Sequence, residues 1–181
     1  MELREWALIV FTILGQLAAG AMLVLMILRT YATAKAGVNE SDRFTDGPLL
    51  MVFPIMGLAL VSSLMHLSNL KNIIGAVPNL VTSWMSREVV ISVVFVAVVG
   101  IYTLLQWRKI GTAVQRDVIG WIAALVGVAQ VIAMGFVYMI RTQPSWNTIA
   151  TPISFLVTAL LLGVLAVAIA LVINYNAIQN K

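Results

Sequence analysis

The chain has 181 residues, of which 61% are hydrophobic and 10% charged, with eleven Lys and Arg against seven Asp and Glu. A soluble domain carries roughly a quarter charged residues, so this composition, with a mean hydropathy of +1.01, excludes a soluble enzyme, a disordered tail and a nucleic-acid-binding module. There is no cysteine, which excludes thiolate metal sites, iron–sulfur ligation by this chain and disulfides, and the single histidine excludes the paired imidazoles that commonly hold a transmembrane haem.

Charges divide the sequence into long apolar runs. Residues 6–28, 47–70, 89–107 and 118–140 contain no Asp, Glu, Lys or Arg, and a fifth such run covers 142–180. About 20 helical residues cross a hydrocarbon core of ~30 Å, so spans are expected at about 6–28, 48–70, 89–107, 118–140 and 152–175. Backbone groups in lipid must bond within the protein, and the runs are too long for barrel strands. The expected fold is therefore an all-α integral membrane protein. It is a single transmembrane domain over 1–181, a bundle of five transmembrane helices. Glu2 and Glu5 flank the first run and no convincing cleavage site follows, so that run reads as a retained helix rather than a signal peptide.

Lys and Arg in alternate connections set the orientation. Arg4, Lys71, Arg87 and Arg141 fall on one side; Arg29, Lys35, Arg43, Arg108, Lys109, Arg116 and Lys181 fall on the other. Seven against four puts the N-terminus outside and the C-terminus inside. The connection at 29–46 reads as solvated, and 108–117 as a tight basic turn. Residues 68–87 carry Leu70, Ile73, Ile74 and Val77 at helical spacing before Pro78, the pattern of a short interfacial helical segment between spans two and three.

His66 near the end of the second run and Glu88 just before the third meet at the outer face by this count. Ionisable groups near a membrane core are costly and face protein or a cavity. A histidine exchanges protons near neutral pH, and a carboxylate beside it can relay them to water. The alternative makes His66 an interfacial residue bonded to a carbonyl and Glu88 a helix-terminal charge favoured by the dipole. Arg141, Trp146 and Asn147 follow the fourth span, either as a stop charge with an aromatic belt or as the rim of a pocket. Gln16 and Gln130 fall mid-span, where interhelical hydrogen bonding is the expected use of an amide.

His66-Leu67-Ser68, Glu88, Pro144-Ser145-Trp146-Asn147, Thr151-Pro152, Phe11-Thr12 and Gly15-Gln16, in this order and spacing, resemble the membrane anchor subunit of dimethyl sulfoxide reductase-type molybdoenzymes. The resemblance covers nearly the whole chain. It implies an anchor without haem or metal that binds and oxidises menaquinol to menaquinone, with His66 and Glu88 as the reacting pair. Gln16, Lys71, Arg141, Trp146 and Asn147 are further candidates for quinol binding; at Lys71 the family carries an arginine. The implied partners are an iron–sulfur electron-transfer subunit and a molybdopterin catalytic subunit holding molybdenum bis-pterin, on the outer face of a prokaryotic cytoplasmic membrane. Members of that family ordinarily have further spans beyond five. A proton- or ion-coupled transporter and a structural tether that binds no quinone are the competing readings; the sequence has neither mid-span carboxylates nor an evident inverted repeat to favour the transporter.

Overall fold

The computed structural model describes the backbone of residues 3–66 and 79–179, and side chains within 6–63 and 79–176. Among the described residues five helices follow one another: α1 (Leu3–Ala36), α2 (Val38–His66), α3 (Trp84–Trp107), α4 (Ala113–Tyr138) and α5 (Ala150–Gln179). All five are long and apolar enough to cross a membrane. The chain runs up and down, so the start of α1, the end of α2, the start of α3, the end of α4 and the start of α5 share one end of the bundle.

α1 is the central helix and packs against α2, α4 and α5. Its approach to α5 depends on glycine: a Cβ on Gly20 would run into the backbone at Ala159, and one on Gly163 into the backbone at Gly20. Without a hydrophobic drive between helices in lipid, such close backbone approach is what holds them. Ala19 gives α4 similar access, with its Cα 3.2 Å from where a Cβ on Gly127 would lie. The middle of the bundle is closed by Met22, Leu25, Met26, Phe95, Val99, Ala123 and Ala124, all buried.

The 29–46 connection is helical rather than a loop, and keeps the exposed face expected of its composition. α1 continues to Ala36, breaks only at Gly37 with φ of 85°, and α2 starts at Val38. Arg29 is fully buried, and Ser41 and Thr45 are buried with it. Arg29 Nε donates to Asp117 Oδ1 at 2.5 Å and its Nη1 to Asp42 Oδ1 at 2.7 Å. Lys109 pairs with Asp42 at 2.8 Å and with Asp46 at 2.6 Å. Gln106 donates to Asp42 and Asp46 at 2.7 and 2.8 Å and accepts from Arg116 Nε at 2.8 Å. Arg29, Lys109 and Arg116 are thus balanced by Asp42, Asp46 and Asp117 across α1, α2, α3 and α4. Pairing on this scale offsets the burial of Arg29, while the outer face of the segment, with Tyr31, Lys35, Glu40, Arg43 and Phe44, stays exposed.

At the same end, Thr112 caps α4 in a capping box with Gln115: Gln115 N–H donates to Thr112 Oγ1 at 3.2 Å, and Thr112 N–H to Gln115 Oε1 at 2.9 Å. Lys109, with φ of 53°, and Gly111, with φ of 77°, turn the chain between α3 and α4.

Candidate functional site

At the opposite end, Ser83 caps α3 by accepting from Ser86 N–H at 3.3 Å. Arg87 fixes the turn before it, donating to Leu80 O at 2.8 Å and Val81 O at 2.6 Å, and its guanidinium lies 4.3 Å from the centre of the Trp84 ring. Trp84 stacks on Phe136 of α4, ring centres 4.3 Å apart. Trp84 to Arg87 therefore belong to the first turn of α3, and the interfacial segment expected over 68–87 does not extend this far. The earlier part of that expectation, with Lys71, lies outside the described residues.

With Arg87 turned toward the connection, Glu88 faces inward and is 8% exposed. A helix-terminal charge held only by the dipole would remain in solvent; Glu88 instead borders a cavity of about 270 Å³. Leu8 and Phe11 of α1, Ser63 of α2, Met85 and Val89 of α3, Val137 and Tyr138 of α4, and Ile140 and Trp146 complete the lining. The wall is apolar apart from the Glu88 carboxyl and the hydroxyls of Ser63 and Tyr138. No cation pairs with Glu88 among the described residues. No group of residues suited to a metal ion occurs among them either. His66 closes α2, three residues after Ser63; its side chain lies outside the described residues.

Tyr138 and Trp146 carry the same wall onward. Their ring centres are 6.1 Å apart, and Tyr138 also lies 5.2 Å from Phe155 of α5. Both border a second cavity, about 330 Å³, between α1 and α5, together with Ile9, Thr12, Ile13, Thr151, Ser154 and Phe155. Of the candidates after the fourth span, Trp146 alone lines the cavities; Arg141 and Asn147 are exposed on the 139–149 connection and line neither.

Gln16 and Gln130 are buried in the bundle, and Gln130 makes no interhelical hydrogen bond among the described residues. Neither amide atom of Gln130 has a partner among the described residues, nor does Gln16 Oε1. Gln130 Nε2 lies 3.3 Å from where a Cβ on Gly15 would stand, level with α1 just before Gln16. Ser92, one turn into α3 from Glu88, is buried with an equally unpartnered hydroxyl. Gln16 borders neither cavity, so it is a packing neighbour at a distance from the Glu88 wall rather than part of it.

Tyr138 and Ser63 were not singled out by the sequence. The aromatic series Tyr138, Trp146, Phe155 was the available signal, but tyrosine at a span end reads equally well as an interfacial anchor.

The family described as DMSO reductase anchor subunit (DmsC) matches residues 1–180. The chain belongs to this family. Among curated relatives of this anchor family, it is 33% identical over 171 residues to YnfH, an anaerobic dimethyl sulfoxide reductase protein of Escherichia coli K12, covering 92% of this chain and 57% of that one. It is 28% identical over 171 residues to the corresponding anaerobic dimethyl sulfoxide reductase polypeptide of Haemophilus influenzae, covering 94% and 60%. A sulfite dehydrogenase polypeptide from Allochromatium vinosum is 26% identical over 156 residues, 80% of this chain and 48% of that one. The chain thus spans less than two thirds of the relatives it matches. No solved structure matches it. As an anchor-family member with five helices able to cross a membrane, it is a multi-pass membrane protein.

Proposed function

We propose that this anchor subunit binds menaquinol in the Glu88 cavity, oxidises it near the outer face of a prokaryotic cytoplasmic membrane, and passes the electrons to an iron–sulfur partner subunit. The observation that carries the reading is the buried Glu88 carboxyl in an otherwise apolar cavity at one end of the bundle. Apolar walls suit the quinol ring, and a buried carboxyl suits its hydroxyl.

His66 and Glu88 act as the proton-accepting pair. His66 follows Ser63, a cavity residue, by three positions in the sequence. Each quinol oxidised to quinone releases two protons and two electrons. The protons go to His66 and Glu88 and then to the outer aqueous phase; the electrons go to the nearest iron–sulfur cluster of the partner, because this chain has no cysteine to hold one. A molybdenum bis-pterin catalytic subunit is the terminal partner. The names of the relatives, from dimethyl sulfoxide reductases and a sulfite dehydrogenase, support this class of complex.

The sulfite dehydrogenase relative favours a second reading of direction, in which the same two groups protonate a quinone that receives electrons. A proton-coupled transporter fits less well. The Glu88 cavity and the Arg29 network are separated by the buried layer of Met22, Met26, Phe95, Val99 and Ala124. The decisive comparison is turnover by His66→Ala and Glu88→Gln complexes with quinol and with a dye donor that bypasses the anchor. Loss of the quinol-driven rate alone supports the reading, and an undiminished quinol rate in both variants sinks it. A purely structural tether would copurify with its partners without stoichiometric quinone.

A further inference from the structure

The two cavities that meet at Tyr138 and Trp146 are both mainly apolar and differ in their polar groups. The one on the α3 side presents a buried carboxyl with no cation partner among the described residues. The one between α1 and α5 contains three hydroxyls besides Tyr138, yet each already donates to a backbone carbonyl. Thr12 Oγ1 donates to Leu8 O at 2.9 Å, Thr151 Oγ1 to Trp146 O at 2.7 Å, and Ser154 Oγ to Thr151 O at 2.7 Å. With those protons engaged, the chamber offers an occupant chiefly the apolar surfaces of Ile9, Ile13, Phe155 and Trp146. Ile9 and Ile13 are themselves partly exposed on the side of α1, so the chamber opens laterally, where lipid would lie.

A cavity with one buried carboxyl and a chamber with no charged side chain, sharing one aromatic wall, match a ligand with a polar head and a long hydrocarbon tail. We propose that the α1/α5 chamber holds the isoprenoid tail of the quinol whose head group reacts beside Glu88, the tail passing over Tyr138. This rests on the quinol reading above and adds a tail subsite to it. Tyr138 is placed to guide the tail: its ring packs between Trp146 and Phe155, and its hydroxyl lies 3.4 Å from Thr12 Oγ1. The tail then leaves the protein between α1 and α5 without crossing the carboxyl-lined cavity.

The test uses the assembled complex and two quinols with the same ring, one carrying a long isoprenoid tail and one, 2-methyl-1,4-naphthoquinol, carrying none. Ile13→Trp and Ser154→Trp fill the chamber from opposite helices. The KM for the tailed quinol is expected to rise about tenfold, a loss of about 1.4 kcal/mol of binding, while KM and kcat for the tail-less quinol stay within about twofold, near the usual noise of a surface change. Equal shifts for both quinols, or no shift for either, overturn the tail subsite; the latter is the result if a phospholipid acyl group fills the chamber. If Glu88→Gln leaves oxidation of both quinols intact, it is the head-group reading that has failed. Should the tryptophan variants not assemble, a quinol bearing a diazirine in its tail is crosslinked to the unaltered complex. Labelling of Ile9, Ile13 or Phe155 supports the subsite, and labelling confined to Met85 and Ile140, or absent from this anchor, overturns it.

Discussion

Glu88 of α3 and Tyr138 of α4 border one cavity, and the Tyr138 ring, 6.1 Å from Trp146 and 5.2 Å from Phe155, borders a second. Tyr138 and Trp146 thus form the shared wall between the cavity that holds the Glu88 carboxyl and one without a charged side chain.

That position makes Tyr138 sensitive to size more than to its hydroxyl. Among the described residues the hydroxyl's neighbour within hydrogen-bond reach is Thr12 Oγ1 at 3.4 Å, a long contact. Tyr138→Phe is expected to keep quinol KM within about twofold, whereas Tyr138→Ala removes the wall and costs about 3–5 kcal/mol of packing if unrelaxed, with a raised KM. Steady-state kinetics with quinol checks both; a Phe variant as impaired as the Ala variant contradicts the account.

Arg29 ties three helices through one guanidinium, reaching Asp117 with Nε and Asp42 with Nη1. Arg29→Met leaves Asp117 without its cation, while Asp42 keeps Lys109 and Arg116, and is expected to destabilise the bundle by about 3 kcal/mol. Thermal unfolding in detergent reads this directly. Arg29→Lys is expected to recover only part of the loss, because a single ammonium does not reproduce the two-sided fork.

Gln130 predicts the opposite sign. Its amide is fully buried with no partner among the described residues, and an unpaired buried polar group costs about 1–3 kcal/mol. Gln130→Leu is of similar volume and is expected to raise the midpoint of thermal unfolding by a few degrees; a fall would mean that ordered water satisfies the amide.

Gly20 and Gly163 hold α1 and α5 at backbone distance. Gly163→Val is expected to cost about 1–3 kcal/mol through overpacking and to lower the unfolding midpoint. A neutral result would show that the crossing is looser than described.

Much of this was legible in the sequence because a membrane makes charge expensive. Runs free of Asp, Glu, Lys and Arg located all five helices, and Glu88, next to the third run, stood out for the same reason. The 29–46 connection is solvated on its outer face as expected, but it is helical and its inner charges find partners far along the sequence: Arg29 pairs with Asp117, and Asp42 and Asp46 with Lys109. Local composition records charges and not their distant partners. Gln130 misled in the converse way, since an amide announces its need for a partner without saying whether one is in reach. Tyr138 resembled an anchor at a span end, and only the packing of α4 against α1 and α5 gave it two cavities to divide.

The central claim is that Glu88 accepts a proton from quinol in the cavity it borders. Its most direct test is the ratio of quinol-driven to dye-driven turnover in the assembled complex carrying Glu88→Gln. General acid–base groups contribute about 10²–10⁴-fold, so the account predicts a fall of at least about a hundredfold in the quinol-driven rate with the dye-driven rate preserved. A quinol-driven rate equal to that of the unaltered complex would contradict it.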